Sequence, residues 1–296
     1  MRKLRVVVAA LMFAAIVFFF CDFTGIGAKY LGFTVRCQFV PALMRASFLT
    51  VAILALVTIF FGRVYCSIIC PLGIFQDIVS HLASTRKKLR FTYRRGKTLI
   101  RVFVLLVFIG LMAGGLCAWA ALIEPYGMFG RIAANLFAPC YRWGNNLLAD
   151  WSQSSGNTLF YHVEVIASGA ALAAVVFVIL CILAWRWGRL YCNTICPVGT
   201  FLGLLSRSAM VRPRIDPSRC NKCGKCARIC KASCVNSSER KIDADRCVVC
   251  LNCVSQCPQK AIAYRFPSRN DVPQDTSQKA ADVGSEISDV SNKKEV

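Results

Sequence analysis

Four long apolar stretches occupy the first 200 residues of the chain. They run over residues 4–23, 42–65, 102–123 and 165–187, and they contain few charged side chains. An α-helix rises about 1.5 Å per residue, so about 20 apolar residues cross the hydrocarbon core of a bilayer. The pattern therefore predicts an α-helical membrane domain over residues 1–210, with four transmembrane helices.

Basic residues indicate how these helices are oriented. Nine Lys and Arg lie between residues 62 and 101, and three more lie at the N-terminal tip, whereas the two segments on the opposite side hold three and two. The positive-inside rule then places both termini and the 62–101 loop in the cytoplasm. We expect a multi-pass protein of a bacterial-type cytoplasmic membrane, whose basic loop contacts anionic lipid and not nucleic acid.

The membrane part contains an internal repeat. Residues 62–75 and 188–201 lie 126 positions apart and are identical at nine of fourteen positions. Each copy follows a predicted span that ends on the cytoplasmic side, so the domain is expected to be two parallel two-helix repeats related by an axis along the membrane normal.

Each copy of the repeat carries a C-x3-C-P motif. The four cysteines are Cys66, Cys70, Cys192 and Cys196. Cysteines at positions i and i+4 share a helix face, so two pairs related by a two-fold axis would present four thiols to one point. Three interpretations are open: a further metal or iron–sulfur cluster, redox-active disulfides, and simple packing.

Two cysteine runs follow the membrane part. Residues 220–230 and 247–258 both have the spacing C-x2-C-x2-C-x3-C of bacterial ferredoxins, in which the fourth cysteine of each run binds the other cluster. A zinc ribbon would leave four of these thiols unexplained. The spacing predicts two [4Fe-4S] clusters in a small α+β ferredoxin-like domain over residues 211–266. The expected ligand sets are Cys220, Cys223, Cys226 and Cys257 for one cluster, and Cys247, Cys250, Cys253 and Cys230 for the other.

The first run departs from the second at two positions. Lys231 follows Cys230 where Pro258 follows the last cysteine of the second run, and Cys234 adds a thiol. This extra thiol is either a buried spare or a replacement for Cys230 as ligand. We expect residues 261–264 to form a closing strand, with residues 241–243 as its partner.

Composition agrees with this division of the chain. It has 296 residues with 18 Cys and a net charge of +21, and its mean hydropathy is +0.52. Disulfide scaffolds are short and secreted, so the cysteines are expected to bind metal clusters. Residues 267–296 are rich in Ser, Asp and Lys and are expected to be disordered.

The combination of four spans, two C-x3-C-P motifs and two ferredoxin runs, over roughly residues 1–265, resembles the NapH/MauN-type family of membrane-bound ferredoxin subunits. It also resembles parts of NosR and of FixG/CcoG-type proteins. The resemblance implies an electron-transfer subunit that links the quinol pool or another redox donor to a partner reductase, rather than a stand-alone enzyme. The alternative is a metal-handling or cofactor-assembly reductase of the FixG/CcoG type, whose C-x3-C-P cysteines bind copper or iron.

A quinol site also needs a proton acceptor. Glu124, at the end of the third predicted span, is the best candidate carboxylate, and Asp22 is the second. The alternative is that Glu124 only ends a span. The predicted topology places Glu124 on the outer face, whereas the clusters lie on the inner face.

Overall fold

A computed structural model describes residues 2–87, 91–154, 161–165 and 169–267. The predicted disordered tail lies outside the described residues, apart from Pro267. We call the part of the chain that the sequence predicts to lie in a membrane, residues 1–210, the membrane part. Its helices are α1 Arg2–Cys21, α2 Ile26–Leu31, α3 Phe33–Arg36, α4 Phe39–Met44, α5 Phe48–Phe61, α6 Tyr65–Ile68, α7 Pro71–Lys87, α8 Thr98–Ala113, α9 Cys117–Ile123, α10 Pro125–Ile132, a π-helical turn Ala133–Phe137, α11 Ala138–Ser154, α12 Ala170–Trp187, α13 Leu190–Thr194 and α14 Pro197–Ser206. The C-terminal domain contains β1 Arg212–Ile215, α15 Lys225–Arg228, β2 Val235–Asn236, β3 Lys241–Ile242, α16 Asn252–Gln256 and β4 Ile262–Arg265.

Helices α1 and α8 begin beside the C-terminal domain. In the first turn of α8, Arg101 Nη1 lies 2.6 Å from Asp245 Oδ2. Near the start of α1, Arg5 Nη1 lies 3.5 Å from Asp77 Oδ2. The other carboxylate oxygen of Asp77 lies 3.5 Å from Lys231 Nζ of the C-terminal domain. Both helices therefore run away from this domain.

Helices α5 and α12 run the other way and end at the same domain. The hydroxyl of Tyr264 donates to the carbonyl oxygen of Phe61 at 2.8 Å. Just beyond α12, the amide of Arg189 donates to the carbonyl oxygen of Lys231 at 2.9 Å. Helices α1, α5, α8 and α12 thus alternate in direction, which is the arrangement that a repeated two-helix unit requires.

Two of the predicted spans are not continuous helices. Helix α5 has 14 residues and α8 has 16, and among the described residues only α1 and α12 are long and apolar enough to cross a membrane by length and composition. The predicted span 42–65 is interrupted at Ala46, and the predicted span 102–123 at Gly115, each of which has a positive φ. A left-handed residue interrupts the α-helical hydrogen-bond ladder, so each span is divided between a long and a short helix.

The short helices bring the chain back toward the repeat motifs. Just before α4, Gln38 Oε1 accepts a hydrogen bond from the hydroxyl of Tyr65 at 2.8 Å. At the end of α9, the carbonyl oxygen of Ile123 accepts from the hydroxyl of Tyr191 at 2.5 Å. The residues around Gln38 and Ile123 therefore lie next to the two repeat motifs.

The four alternating helices leave wide apolar surfaces exposed. Their inner faces bury Ile16, Leu54, Phe108 and Leu180 in one core. Large exposed apolar side chains on the other faces include Leu4, Leu11, Phe48, Leu49, Leu56, Leu99, Phe103, Leu106, Leu172, Val175 and Ile182. Exposed apolar surface of this extent is typical of a membrane or protein contact.

The C-terminal domain is closed by two small antiparallel sheets. Strand β4 pairs with β1, with Ile262 opposite Ile215. Strand β3 pairs with β2, with Ile242 opposite Val235. The prediction that residues 261–264 pair with residues 241–243 is wrong. Strand β4 after the second cysteine run finds its apolar partner in β1, which precedes the first run.

Candidate functional site

The two cysteine runs cross over between two separate cavities, as the ferredoxin spacing predicts. The cavity that we call cavity I is lined in part by Cys220, Cys223, Cys226 and Cys257. Cavity II is lined in part by Cys230, Cys234, Cys247, Cys250 and Cys253. Three cysteines of one run and the fourth of the other therefore meet in each cavity.

The loops around the two cavities share an unusual backbone. Lys222 and Val249, which lie 27 residues apart, both have positive φ, and so do Gly224 and Leu251 at the same spacing. Left-handed conformations are uncommon for side chains such as valine and leucine. Their recurrence at matched positions shows that the two runs form the same loop, whose tight turns direct main-chain amides inward.

The donors in cavity II fit an iron–sulfur cluster. The main-chain amides of Val249 and Asn252 donate to the sulfurs of Cys247 and Cys250, and such hydrogen bonds tune a bound cluster. In the described part of the chain, no three His, Cys, Asp or Glu side chains are close enough to bind one metal ion together. A cluster does not need such convergence, because each cysteine binds its own iron corner.

Cys234 lies in cavity II, beside the predicted ligand Cys230. Its sulfur is 3.5 Å from that of Cys230, and both thiols are buried. At the matching position 27 residues later, cavity I has the methyl group of Ala261. Cavity II therefore has a fifth thiol on its wall.

Lys231, which stands where the other run has a proline, joins the two domains. Its Nζ lies 3.5 Å from Asp77 Oδ1, and its carbonyl oxygen accepts from the amide of Arg189. Burial raises the pKa of Asp77, but the charges of Arg189, Lys231 and Arg5 outweigh burial and hold that pKa well below its usual range. Asp77 is thus an ionised carboxylate shared by three cations.

The two cavities differ in their surroundings. Cavity II faces the membrane part, since the guanidinium of Arg63 is close enough to Cys247 to favour its thiolate. Cavity I faces outward, and Cys223 is exposed. The exposed basic side chains around cavity I are Lys222, Lys225, Arg228 and Lys260.

The four C-x3-C-P thiols come together inside the membrane part, as the repeat predicts. Cys66, Cys70, Cys192 and Cys196 are each 3–4% exposed and belong to one buried core. Charges on other members of the set affect the thiol pKa values of Cys70, Cys192 and Cys196. The second cysteine of each motif precedes a proline at a helix start, and the sulfur of Cys196 accepts the amide hydrogen of Gly199 at 3.2 Å.

Three of these four cysteines have raised thiol pKa values. All four cysteines are free. Burial raises the pKa of Cys192 to about 11, and burial together with neighbouring thiols raises the pKa of Cys70 and of Cys196 well above the usual range.

Each copy of the repeat has a buried arginine that donates a hydrogen bond to the other copy. Arg63 of the first copy donates to the carbonyl oxygen of Cys192 at 3.3 Å. Arg189 of the second copy donates to the carbonyl oxygen of Cys66 at 2.6 Å. Both arginines are fully buried. These two hydrogen bonds join each cysteine-bearing turn to the opposite copy. Because they are equivalent, they show the pseudo-two-fold relationship between the copies.

The glycines of the repeat are required by this close packing. A side chain at Gly73 would overlap the carbonyl oxygen of Cys66, and one at Gly199 would overlap that of Cys192. Each of these carbonyls also receives an arginine from the other copy. The shared Cys-Pro-x-Gly sequence is therefore a steric requirement of the repeat.

The predicted position of Glu124 on the face opposite the clusters is wrong. Glu124 follows Ile123, whose carbonyl oxygen contacts Tyr191, and the Glu124 charge affects both Tyr65 and Tyr191. It caps α10 by accepting from the amide of Gly127 at 2.6 Å. It lies just outside the four predicted spans, and burial raises its pKa to about 7. The break at Gly115 is the physical reason, because it lets α9 turn back.

Known protein families match the same segments. A family described as "4Fe-4S binding domain" matches residues 44–90 and again residues 170–216, which are the two copies of the membrane repeat. A second family with the same description matches residues 240–263. These matches and the ferredoxin-type relatives confirm 4Fe-4S clusters as the cofactor class.

Three similar proteins have names that refer to ferredoxins or to electron transport. The ferredoxin-type protein NapH of Escherichia coli K12 is 24% identical over 67% of this chain and 60% of its own length. The methylamine utilization ferredoxin-type protein MauN of Paracoccus denitrificans is 27% identical over 57% of this chain and 48% of its own length. The putative electron transport protein YccM of E. coli is 20% identical over 74% of this chain and 55% of its own length. The matches thus cover about half of these relatives, and no solved structure matches.

Proposed function

We propose that the chain, which is similar to the ferredoxin-type proteins NapH and MauN, passes electrons between the quinol pool, or another redox donor, and a partner reductase. The eight cysteines of the two ferredoxin runs are the proposed ligands of two [4Fe-4S] clusters. The observation that carries the proposal is the crossover of the runs into two matched cavities. Each bound cluster supplies one-electron redox chemistry.

The contacts around cavity II support an electron path into the membrane part. Arg63 interacts with Cys247 of cavity II on one side, and its Nη2 lies 3.8 Å from Cys66 Sγ on the other. Asn193, next to the motif cysteine Cys192, donates to the carbonyl oxygen of Ala232 at 3.0 Å. The ferredoxin domain therefore rests directly on the two cysteine-bearing turns.

Cavity I is the proposed exit to a soluble partner. Its rim carries exposed Lys222, Lys225, Arg228 and Lys260. An excess of positive charge around a redox centre speeds association with an acidic surface and makes the rate depend on ionic strength. We therefore expect the partner to present carboxylates around its own electron-transfer site.

Glu124 is the proposed proton acceptor for quinol. Oxidation of a quinol releases two electrons, one for each of two clusters, and two protons. Glu124 is buried beside Tyr65 and Tyr191, and its pKa of about 7 suits a group that takes up a proton near neutral pH. The inward fold of α9 supports this role, because it brings the carboxylate to the motif side of the molecule.

We propose that α1, α5, α8 and α12 cross the membrane with the ferredoxin domain on the cytoplasmic side. Their alternation, their exposed apolar faces and the basic loop between residues 62 and 101 support this topology. The short helices α4 and α9 would fold back beside α5 and α8, against which they pack.

The metal-handling alternative predicts an accessible metal site at the C-x3-C-P cysteines. These thiols are 3–4% exposed, so the geometry favours a permanently bound group over exchange of a metal cargo. Copper binding by purified protein, lost on substitution of these cysteines while quinol-dependent cluster reduction stays intact, would support the alternative instead.

The proposal is tested with full-length protein purified anaerobically in detergent. We expect at least about eight iron atoms and matching acid-labile sulfide per chain, and reduction of the clusters by a short-chain menaquinol or ubiquinol, monitored by electron paramagnetic resonance. The Cys223→Ser variant should lose about one cluster, and the matched control Cys181→Ser should lose none. Stoichiometric zinc with fewer than about four irons would overturn the assignment.

A further inference from the structure

We propose that Cys66, Cys70, Cys192 and Cys196 together hold one additional iron–sulfur cluster on the pseudo-two-fold axis, shared by the two repeats and held among the buried guanidiniums of Arg63 and Arg189. The proposal extends the electron-transfer function with a third centre. A four-cysteine set is the standard donor set of [2Fe-2S] and [4Fe-4S] clusters.

The first observation is a buried cation without a matching carboxylate. Arg63 donates to Asn193 Oδ1 and to the carbonyl oxygens of Cys192 and Asp245, and its remaining contact is Cys66 Sγ at 3.8 Å. In the described part of the chain no carboxylate pairs with it. An uncompensated buried charge is strongly destabilising, so a group near Cys66 has to carry negative charge.

Charge is unbalanced on the second copy as well. Arg189 is fully buried, and its carboxylate partner, Asp77, is shared with Arg5 and Lys231. Three cations thus surround one anion. Four thiolates around an oxidised cluster core of charge about +2 carry a net charge of about −2, which offsets the excess.

The second observation is a set of buried donors without partners. Arg63 Nε, Arg189 Nη2 and Gln76 Nε2 have no hydrogen-bond acceptor, although all three side chains are at most 1% exposed. Gln76 lies against the thiols, since its Oε1 is 3.3 Å from Cys192 Sγ. Buried donors are almost always satisfied in native proteins, and the sulfides of a bound cluster are acceptors that protein atoms do not replace.

The third observation is that two helix starts meet at the same place. Helices α7 and α14 both begin immediately after a motif cysteine, and the amide of Gly199 in the first turn of α14 donates to the sulfur of Cys196 at 3.2 Å. Helix N-termini favour negative charge. Arginines, amide donors and helix starts therefore all favour an anionic centre among the four thiols.

A cluster fits these thiols better than a single zinc ion. No three of them are close enough to bind one metal ion, whereas a cluster binds each thiolate at its own iron or shares two thiolates per iron. Since the cysteines come in pairs from two copies, one cluster would bridge the copies and hold the repeats together.

The experiment counts centres in the intact protein, with the two ferredoxin clusters as internal reference. Anaerobically purified full-length protein should hold about 10 to 12 irons and matching sulfide per chain, and the Cys70→Ser/Cys196→Ser variant about 8. Cys117→Ser, which alters a thiol outside both sets, should match the wild type. About 8 irons in the wild type, or zinc lost in place of iron, would overturn the proposal while leaving the ferredoxin clusters in place.

A second measurement does not depend on the variant folding. In a redox titration of the wild-type protein, electron paramagnetic resonance should resolve three one-electron centres, and two centres would overturn the proposal. In Arg63→Gln the third centre should titrate at a more negative potential than in the control Arg95→Gln, because a positive charge beside it is lost. Absence of the two ferredoxin signals would instead contradict the proposed function.

Discussion

Arg101 and Asp245 form an ion pair that joins the membrane part to the ferredoxin domain. Arg101 Nη1 lies 2.6 Å from Asp245 Oδ2, and the arginine side chain is 3% exposed. The carbonyl oxygen of Asp245 also accepts from Arg101 and from Arg63. A single residue of the ferredoxin domain therefore contacts both α8 and the first repeat motif.

Removing this arginine should loosen the ferredoxin domain. In Arg101→Leu, the partly buried Asp245 carboxylate loses its closest partner. Breaking a buried ion pair in this way lowers the free energy of unfolding by about 3 kcal/mol. We expect a lower thermal unfolding midpoint and faster limited proteolysis between the two domains. The exposed Lys97→Leu serves as the charge-matched control, and equal proteolysis of both variants would contradict a docking role for the pair.

The motif glycines should not tolerate a methyl group. In Gly73→Ala and Gly199→Ala the new side chain overlaps the carbonyl oxygen of Cys66 or Cys192, so the turn that carries the thiols must shift. We expect each variant to lose about 2 kcal/mol or more of stability, measured by thermal unfolding in detergent. Gly144→Ala, which meets no atom within 4 Å in helix α11, should be neutral or slightly stabilising.

Local patterns predicted much of this molecule. The C-x2-C-x2-C-x3-C spacing predicted which cysteines meet in each cavity, because tight loops hold nearby residues together. The identity of residues 62–75 and 188–201 likewise predicted the paired thiols. The contacts of Arg63 and Arg189 were not predictable in this way, since each joins residues more than 120 positions apart.

The position of Glu124 was the main error, and its origin is physical. Hydropathy treats residues 102–123 as one helix, because Gly114 and Gly115 are small and apolar enough to sit within a span. The positive φ of Gly115 ends α8, and α9 then packs back against α8. Whether a glycine pair lies within a helix or ends it depends on the packing of its neighbours, which hydropathy does not measure.

The basic rim of cavity I should select anionic electron acceptors. Charge reversal in Lys222→Glu/Lys225→Glu cancels the positive charge of the four-residue rim, so reoxidation of reduced clusters by ferricyanide should slow about tenfold at low ionic strength. Reoxidation by the cation hexaammineruthenium(III) should speed up, and both effects should shrink with added salt. Lys29→Glu, at an exposed position far along the chain, is the control. Equal changes with both acceptors would indicate a damaged cluster and not a charge effect.

Glu124 should make quinol oxidation depend on pH. Its folded pKa of about 7 is raised by burial, whereas a free glutamate titrates near about 4.3. Between about pH 4.3 and about pH 7, Glu124 is therefore protonated in the folded state and ionised in the unfolded state. The contribution of this side chain to the free energy of unfolding declines as pH rises through that range. A proton acceptor, by contrast, works only when ionised, so the rate of quinol-dependent cluster reduction should rise through about pH 7 and then level off.

The Glu124→Gln variant separates this role from simple capping. Glutamine still offers an oxygen to the amide of Gly127, so the start of α10 should persist. The quinol-dependent rate should fall about 100-fold and lose its rise near pH 7, while reduction by dithionite stays unchanged. Glu164→Gln, at an exposed carboxylate, should keep both the rate and its pH profile. A wild-type profile in Glu124→Gln would show that the carboxylate only caps a helix.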